Sequence, residues 1–187
     1  MSGVAAGLDA ERSQQCLASI RRGAWAFALT EGTHIKYDPT GAYRSTPLAA
    51  GQYQSDHYTL LQGQYEERFL DDTLQMLARV FAGQEKYTSE LDYGTRFSYP
   101  ATRQWRGFEV RGLYTKLADH KLMLGMELTE GTRVEQQILD LATPANNVLI
   151  SSAVMRTGVY AQDEWKLAPT VPATLDLRWD KDASNNI

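Results

Sequence analysis

The stretch Lys121-Leu122-Met123-Leu124-Gly125-Met126-Glu127-Leu128-Thr129 decides how this chain is read. Leu122, Leu124, Met126 and Leu128 alternate with Lys121, Met123, Gly125, Glu127 and Thr129, and successive side chains of an extended backbone point to opposite faces. One face is therefore greasy and the other mostly polar. Residues 58–69 divide in the same way, with Leu61, Tyr65 and Phe69 on one parity and Gln62, Gln64, Glu66 and Arg68 on the other. Phe108, Val110 and Tyr114 oppose Glu109 and Arg111, while Leu175, Leu177 and Trp179 oppose Asp176, Arg178 and Asp180. Between 74 and 87 the division is less clean, because Leu77 and Phe81 share a parity with Gln75, Arg79 and Glu85. From about Ala24 onward this period-two pattern predicts an all-β chain, and only residues 8–21 read weakly as helix. Residues 1–23 are thus an unassigned N-terminal segment whose weak pattern is helical, and 24–187 hold about seven strands.

The connections alternate between tight and long. Leu70-Asp71-Asp72, Ala118-Asp119 and Pro169-Thr170-Val171-Pro172 carry turn-forming residues, and between them lie long polar stretches near 38–55, 88–102 and 137–154. Short turns at one end and long loops at the other describe an antiparallel up-and-down meander, a partial transmembrane β-barrel with periplasmic turns and extracellular loops. Several strands run past about 10 residues, where soluble sheets favour roughly 5–6 and a tilted membrane strand needs about 9–11. Phe69, Tyr114 and Trp165 fall within a few residues of a short turn, the place of a periplasmic aromatic girdle. Tyr87 and Trp105 do not keep the apolar parity, so an outer girdle is less legible. The polar parity, carried by Gln62, Gln64, Glu66, Arg68, Glu109, Arg111, Glu127 and Arg178, is expected to face a lumen.

Other classes find little support. The net charge of −4 arises from 19 basic and 23 acidic residues scattered along the chain, which leaves no footprint for nucleic acid. A single cysteine, Cys16, excludes an internal disulfide and any multi-cysteine metal site. His34, His57 and His120 lack metal-ligand spacing, and no phosphate-binding loop or nucleophile elbow occurs, so neither metal nor cofactor is expected. Asp163-Glu164 and Glu66-Glu67 are paired carboxylates whose members point to opposite faces of a strand and cannot share a substrate. An enzyme is not expected. No run approaches 18 apolar residues, so no membrane helix is encoded, and Asp9, Glu11 and Arg12 interrupt what would be the apolar core of a secretory signal. The chain is expected to be cytosolic or to lack its true start. In the long connections Tyr93, Arg96, Phe97, Tyr99 and Trp105 make a mixture able to stack on and pair with an anionic or aromatic ligand.

From Gly158 the chain reads Gly-Val-Tyr-Ala-Gln-Asp-Glu-Trp, then a proline turn, then Leu175-Asp176-Leu177-Arg178-Trp179-Asp180. Tyr160, Gln162, Asp163, Glu164 and Trp165 resemble, position by position, a barrel strand of the TonB-dependent receptors. Trp105, Gly107, Glu109 and Arg111 resemble another recurring strand, and His120, Leu122, Gly125 and Glu127 the following one. Asp176 stands where that family usually has glycine, and Trp179 where it usually has tyrosine. The resemblance covers residues 37–180 and implies an interior fragment of a bacterial outer-membrane receptor that imports a scarce solute such as an iron-siderophore. It implies outer-membrane lipid as surroundings, and a partnership with the TonB energising complex through a plug domain that this sequence does not include. Two readings stand beside it: a soluble ligand-binding β-barrel or sandwich with the apolar parity packed inward, and a structural outer-membrane barrel or adhesin without transport.

Overall fold

The computed structural model describes residues 7–168 and 170–186, with backbone alone for 184–186. Nine strands follow one another: β1 (Glu11–Arg22), β2 (Trp25–Tyr37), β3 (Tyr53–Phe69), β4 (Leu74–Asp92), β5 (Arg96–Ser98), β6 (Ala101–Tyr114), β7 (His120–Asp140), β8 (Val148–Ala168) and β9 (Val171–Asn186). Every pairing is antiparallel between neighbours in the chain, except that β6 pairs β4 directly and short β5 bridges β4 and β7 beyond it. The chain is an all-β, up-and-down meander. Each strand contacts only its partners in the sheet, so the described residues form one layer with no element laid over either face.

All short connections lie at one end, at residues 23–24, 70–73, 115–119 and 169–170, and the longer ones, 38–52, 93–100 and 141–147, at the other. The tight ends use left-handed backbone where the chain must reverse, as in Leu70, Asp71 and Asp72 with φ of 55°, 53° and 65°. Two aspartates suit that region because their side chains tolerate it at low cost. Gly23, with φ 57°, makes a fourth tight turn, between β1 and β2. Pro169 of the last turn lies outside the described residues.

Two expectations need correction. Residues 11–22 are strand, not helix: β1 pairs with β2 in unbroken register from Glu11↔Lys36 to Arg22↔Trp25. Its apolar residues at helical spacing, Cys16, Leu17 and Ile20, make only a short stripe, and the backbone ladder offered by β2 overrides this weak propensity. Of the polar stretches expected as long loops, 38–52 is one, whereas those near 88–102 and 137–154 are largely strand, since β4 continues to Asp92 and β7 to Asp140 while β8 begins at Val148. Polar residues keep extended structure there because their hydrogen bonds come from neighbouring backbones, not from side-chain burial.

Register aligns the parities across the whole sheet. Phe27 and Leu29 stand opposite Gly63 and Leu61, Ala78 and Val80 opposite Tyr65 and Gly63, and Val110 and Phe108 opposite Ala78 and Val80. Met126 and Leu128 continue the row on β7, Val159 and Ala161 on β8, and Trp179 and Leu177 on β9. The result is one continuous apolar band. On β4 it runs from Leu74 to Ala82, about 27 Å along the strand at a rise of roughly 3.4 Å per residue.

Exposure along the strands is inverted relative to a water-soluble sheet. In β2, Trp25, Phe27 and Leu29 are exposed while Ala26, Ala28 and Thr30 are partly covered. In β4, Ala78, Val80 and Ala82 are exposed while Leu77, Arg79 and Phe81 are covered, and β7 repeats this with Leu124 and Met126 against Met123, Gly125 and Glu127. Leu124 and Val80 show 65% and 62% of their surface, and Glu109 only 9%, although nothing lies over its face. Side chains crowd on the polar side and splay on the apolar side, as they do when a single sheet curves toward its polar face. The polar face is concave and the apolar face convex.

Small residues make that curvature possible. Gly83, Gly107 and Gly125 each stand directly opposite an aromatic residue, Trp105, Phe81 and Tyr160, whose ring fills the space a Cβ would need. Glycine in a strand weakens it unless a neighbour covers the gap, and cross-strand aromatics do so here.

Candidate functional site

The concave face collects all eight residues expected to line a lumen. Gln62, Gln64, Glu66 and Arg68 stand opposite Phe81, Arg79, Leu77 and Gln75 of β4, and Arg111, Glu109, Glu127 and Arg178 share that side through the registers of β6 to β9. Glu109 and Glu127 are each paired with a guanidinium from another strand. Arg79 donates from Nη2 to Glu109 at 2.5 Å, and the Tyr160 hydroxyl donates to the other Glu109 oxygen at 2.9 Å. Arg178 lies over the Tyr160 ring, 5.8 Å from its centroid, pairs with Asp180, and reaches past Gly158 to Glu127. A side chain at Gly158 would collide with the Arg178 guanidinium, so the glycine opens the path of that ion pair. Gln64 and Gln75 both donate to Glu66, at 3.0 and 2.5 Å.

The residues of the Gln-Asp-Glu-Trp stretch form a pairing key between β7 and β8. Lys121 pairs with Glu164 at 2.7 Å on the concave side, and His120 Nδ1 meets Asp163 at 2.9 Å on the convex side, with Trp165 stacked on the His120 ring at 5.4 Å. Gln162 stands opposite Met123, and Tyr160 covers Gly125. Asp163 is a carboxylate on an apolar face, which is costly unless it is paired. His120 partners it, and Trp165 marks its place near the short turns.

A double-mutant cycle checks that assignment. His120→Leu is expected to destabilise the refolded protein by about 1–3 kcal/mol by leaving Asp163 unpaired, and Asp163→Leu in the same chain to recover most of the loss. Equal losses in the single and double variants, read from urea unfolding in lipid vesicles, would contradict it.

Trp25 and Tyr65, with ring centroids 4.9 Å apart, join Phe69, Tyr114 and Trp165 on the convex side near the short turns. Nothing in the sequence marks the turn at residues 23–24, so the place of Trp25 beside Tyr65 follows only from the strand pairing.

Of the residues expected to make a ligand site in the loops, the structure gathers four and separates one. Tyr93, Phe97 and Tyr99 form an aromatic run, with centroids 5.9 and 6.4 Å apart. Burial, with a hydrogen bond to Tyr93, pushes the Tyr99 phenol up. Arg96 is spent on structure, donating to the Ala50 carbonyl at 2.6 Å and pairing with Glu90 at 3.6 Å. Gln52, buried between loop 38–52 and β4, ties these parts together by donating to the Thr46 carbonyl at 2.8 Å and accepting from the Asp92 amide at 3.0 Å. Trp105 is elsewhere. It lies in β6 on the concave face, beside a bulge where β7 gains one residue, and packs on Tyr58 at 5.9 Å. It read as a loop residue because the polar run before it concealed the start of β6 at Ala101.

Asp140 orders the loop 141–147. It accepts from the Asn146 side chain at 3.0 Å and from the Thr143 and Ala142 amides at 2.9 and 3.0 Å, and these bonds, that of Asn146 foremost, hold its carboxyl below the ordinary aspartate range. A depressed carboxyl stabilises the folded loop above the unfolded pKa of about 4 and loses that contribution as pH falls through the depressed value. The Ala142 and Thr143 amides are therefore expected to stay protected from exchange at pH 5 to 7 and to lose protection below about pH 4, whereas Asp140→Asn removes that pH dependence.

Compared with known protein families, curated proteins and solved structures, the chain finds no match. The reading of the site therefore rests on its geometry. Among the described residues no group of histidine, cysteine and carboxylate side chains is placed to hold a metal ion. Among the described residues no helix is long and apolar enough to cross a membrane.

Proposed function

We propose that this chain is a wall segment of a bacterial outer-membrane β-barrel of the TonB-dependent receptor kind, a gated importer of a scarce solute such as an iron-siderophore. The single observation that carries the membrane part is the inverted alternation: leucines, valines and tryptophans exposed on the convex face, with glutamines, glutamates and arginines drawn together on the concave one. Water would penalise such a surface, since large contiguous apolar patches are rare on soluble chains, whereas hydrocarbon on one side and an aqueous lumen on the other satisfy both faces. Strands of 13 to 21 residues in β2, β3, β4 and β6 to β9 exceed what the hydrocarbon needs, leaving their polar ends to extend into the loops. Tight turns on one side and docked loops on the other give the asymmetry of a barrel with periplasmic and extracellular ends.

The receptor part is supported by the Gln-Asp-Glu-Trp resemblance and by the way those residues interlock with the strand that begins at His120. In this role the segment breaks no bond; import needs a plug and the energising complex acting through it. The experiment is refolding into vesicles whose lipids carry brominated chains. Trp25, Trp165 and Trp179 lie on the convex face and are expected to be quenched from within the bilayer. A chain that stays monodisperse without detergent, unfolds cooperatively and shows no quenching would favour a soluble barrel or sandwich instead.

A further inference from the structure

Several concave charges are consumed by one another, whereas one part of that face sets unpaired charges beside aromatic rings. Tyr58, Glu85 and Arg103 stand in one row across β3, β4 and β6, and Trp105 lies beside them opposite Gly83. The Trp105 indole fills the space over Gly83, a position that no larger residue would leave open. A bulge between β6 and β7 lies at Gln104 and Trp105, and bulges serve to re-aim side chains. The Tyr58 and Trp105 rings are 5.9 Å apart and inclined by 35°, so together they make a shallow aromatic platform. The exposed Arg103 guanidinium stands 5.3 Å from the Trp105 centroid. Among the described residues the Glu85 carboxylate, the Arg103 guanidinium, the Trp105 Nε1–H and the Tyr58 hydroxyl make no hydrogen bond or ion pair with other side chains, in contrast to Arg79, Glu109 and Arg178.

We propose that this part of the concave wall is a saccharide-binding subsite, in which Tyr58 and Trp105 take the carbon–hydrogen face of a sugar ring and Glu85 and Arg103 bond its hydroxyls. Two aromatic faces supply apolar contact without demanding a charge on the ligand. One carboxylate accepts and one guanidinium donates, so the pair suits neutral hydroxyls, which do both. With equal and opposite charges beside the platform, an anion gains little net attraction. The bound ring displaces Arg103 from above the indole, a small rearrangement for an exposed side chain. The proposal rests on the reading that the concave face meets water.

The test uses the refolded chain and its tryptophan fluorescence, titrated with neutral maltose, cellulose and galactose oligomers and separately with 4-hydroxybenzoate. Trp105 is the tryptophan on the concave face, the other three being convex, so a saccharide is expected to shift its emission while quenching by brominated lipid persists. Trp105→Ala, whose binding is read by isothermal titration calorimetry because it lacks the reporter ring, is expected to weaken saccharide binding at least tenfold and Glu85→Gln several-fold, with lipid quenching of the remaining tryptophans showing that both variants are folded. The proposal is overturned if no oligosaccharide shifts the emission at millimolar concentration, if Trp105→Ala binds as well as the parent, or if only the aromatic carboxylate binds. Loss of lipid quenching in the parent chain would instead strike the membrane reading, which this separates from the fate of the subsite.

Discussion

Leu124→Arg is expected to cost the inserted protein about 2–4 kcal/mol, while Glu127→Arg leaves insertion intact. The two positions are three residues apart on β7 and point to opposite faces. Leu124 is flanked by Gly112 of β6 and Ala161 of β8, small neighbours that leave its side chain standing in the middle of the apolar band. A guanidinium there has no carboxylate opposite it on either neighbouring strand and must reach for an interface to find water. At Glu127 the same substitution places a cation on the concave face beside Arg178, so the ion pair between β7 and β9 is lost and two like charges meet. That change loosens the wall by about 1 kcal/mol but puts no charge in hydrocarbon. Refolding yield and urea midpoints in vesicles measure both. Equal losses at the two positions would mean that the convex face does not meet lipid.

The class of fold was legible because it depends on a local quantity, the two-residue period, which Leu122 to Leu128 display without any knowledge of partners. All eight expected lumen residues reached one face for the same reason, and the Leu77–Phe81 ambiguity resolved into two large apolar side chains on the concave side, of which Phe81 covers Gly107. What escaped depends on pairing between strands. Nothing within residues 11–22 announces a strand, because its extended form is set by the ladder of β2. Trp105 could be placed only once the bulge at Gln104 and the opposing Gly83 were known. Asp163 was legible as a misfit on the apolar parity, and its solution, His120, lies 43 residues earlier in the chain. Tyr58, Glu85 and Arg103 carry no motif; they form a group only because two registers bring them side by side.

Removing the Glu109 carboxylate is expected to be the most damaging single change on the concave face. Glu109 is the most enclosed charge there, and it serves three strands at once: Arg79 from β4, Tyr160 from β8, and its own place on β6. It also stands directly opposite Glu127, so two carboxylates face each other across β6 and β7. That arrangement is tolerable because a guanidinium flanks each one, Arg79 on the near side and Arg178 reaching over Gly158 on the far side. Glu109→Leu relieves the carboxylate pair but leaves Arg79 and the Tyr160 hydroxyl without acceptors. Breaking a buried pair costs about 3–5 kcal/mol; with Arg79 38% exposed and able to recover some hydration, about 2–3 kcal/mol is expected. Arg79→Met placed in the same chain should return most of that loss, since an apolar pair of similar volume strands neither charge. Unfolding midpoints of the four chains in vesicles give the coupling directly. If the two substitutions add to within about 0.5 kcal/mol, Arg79 and Glu109 do not act as a unit, and the concave network would be a set of separate surface contacts.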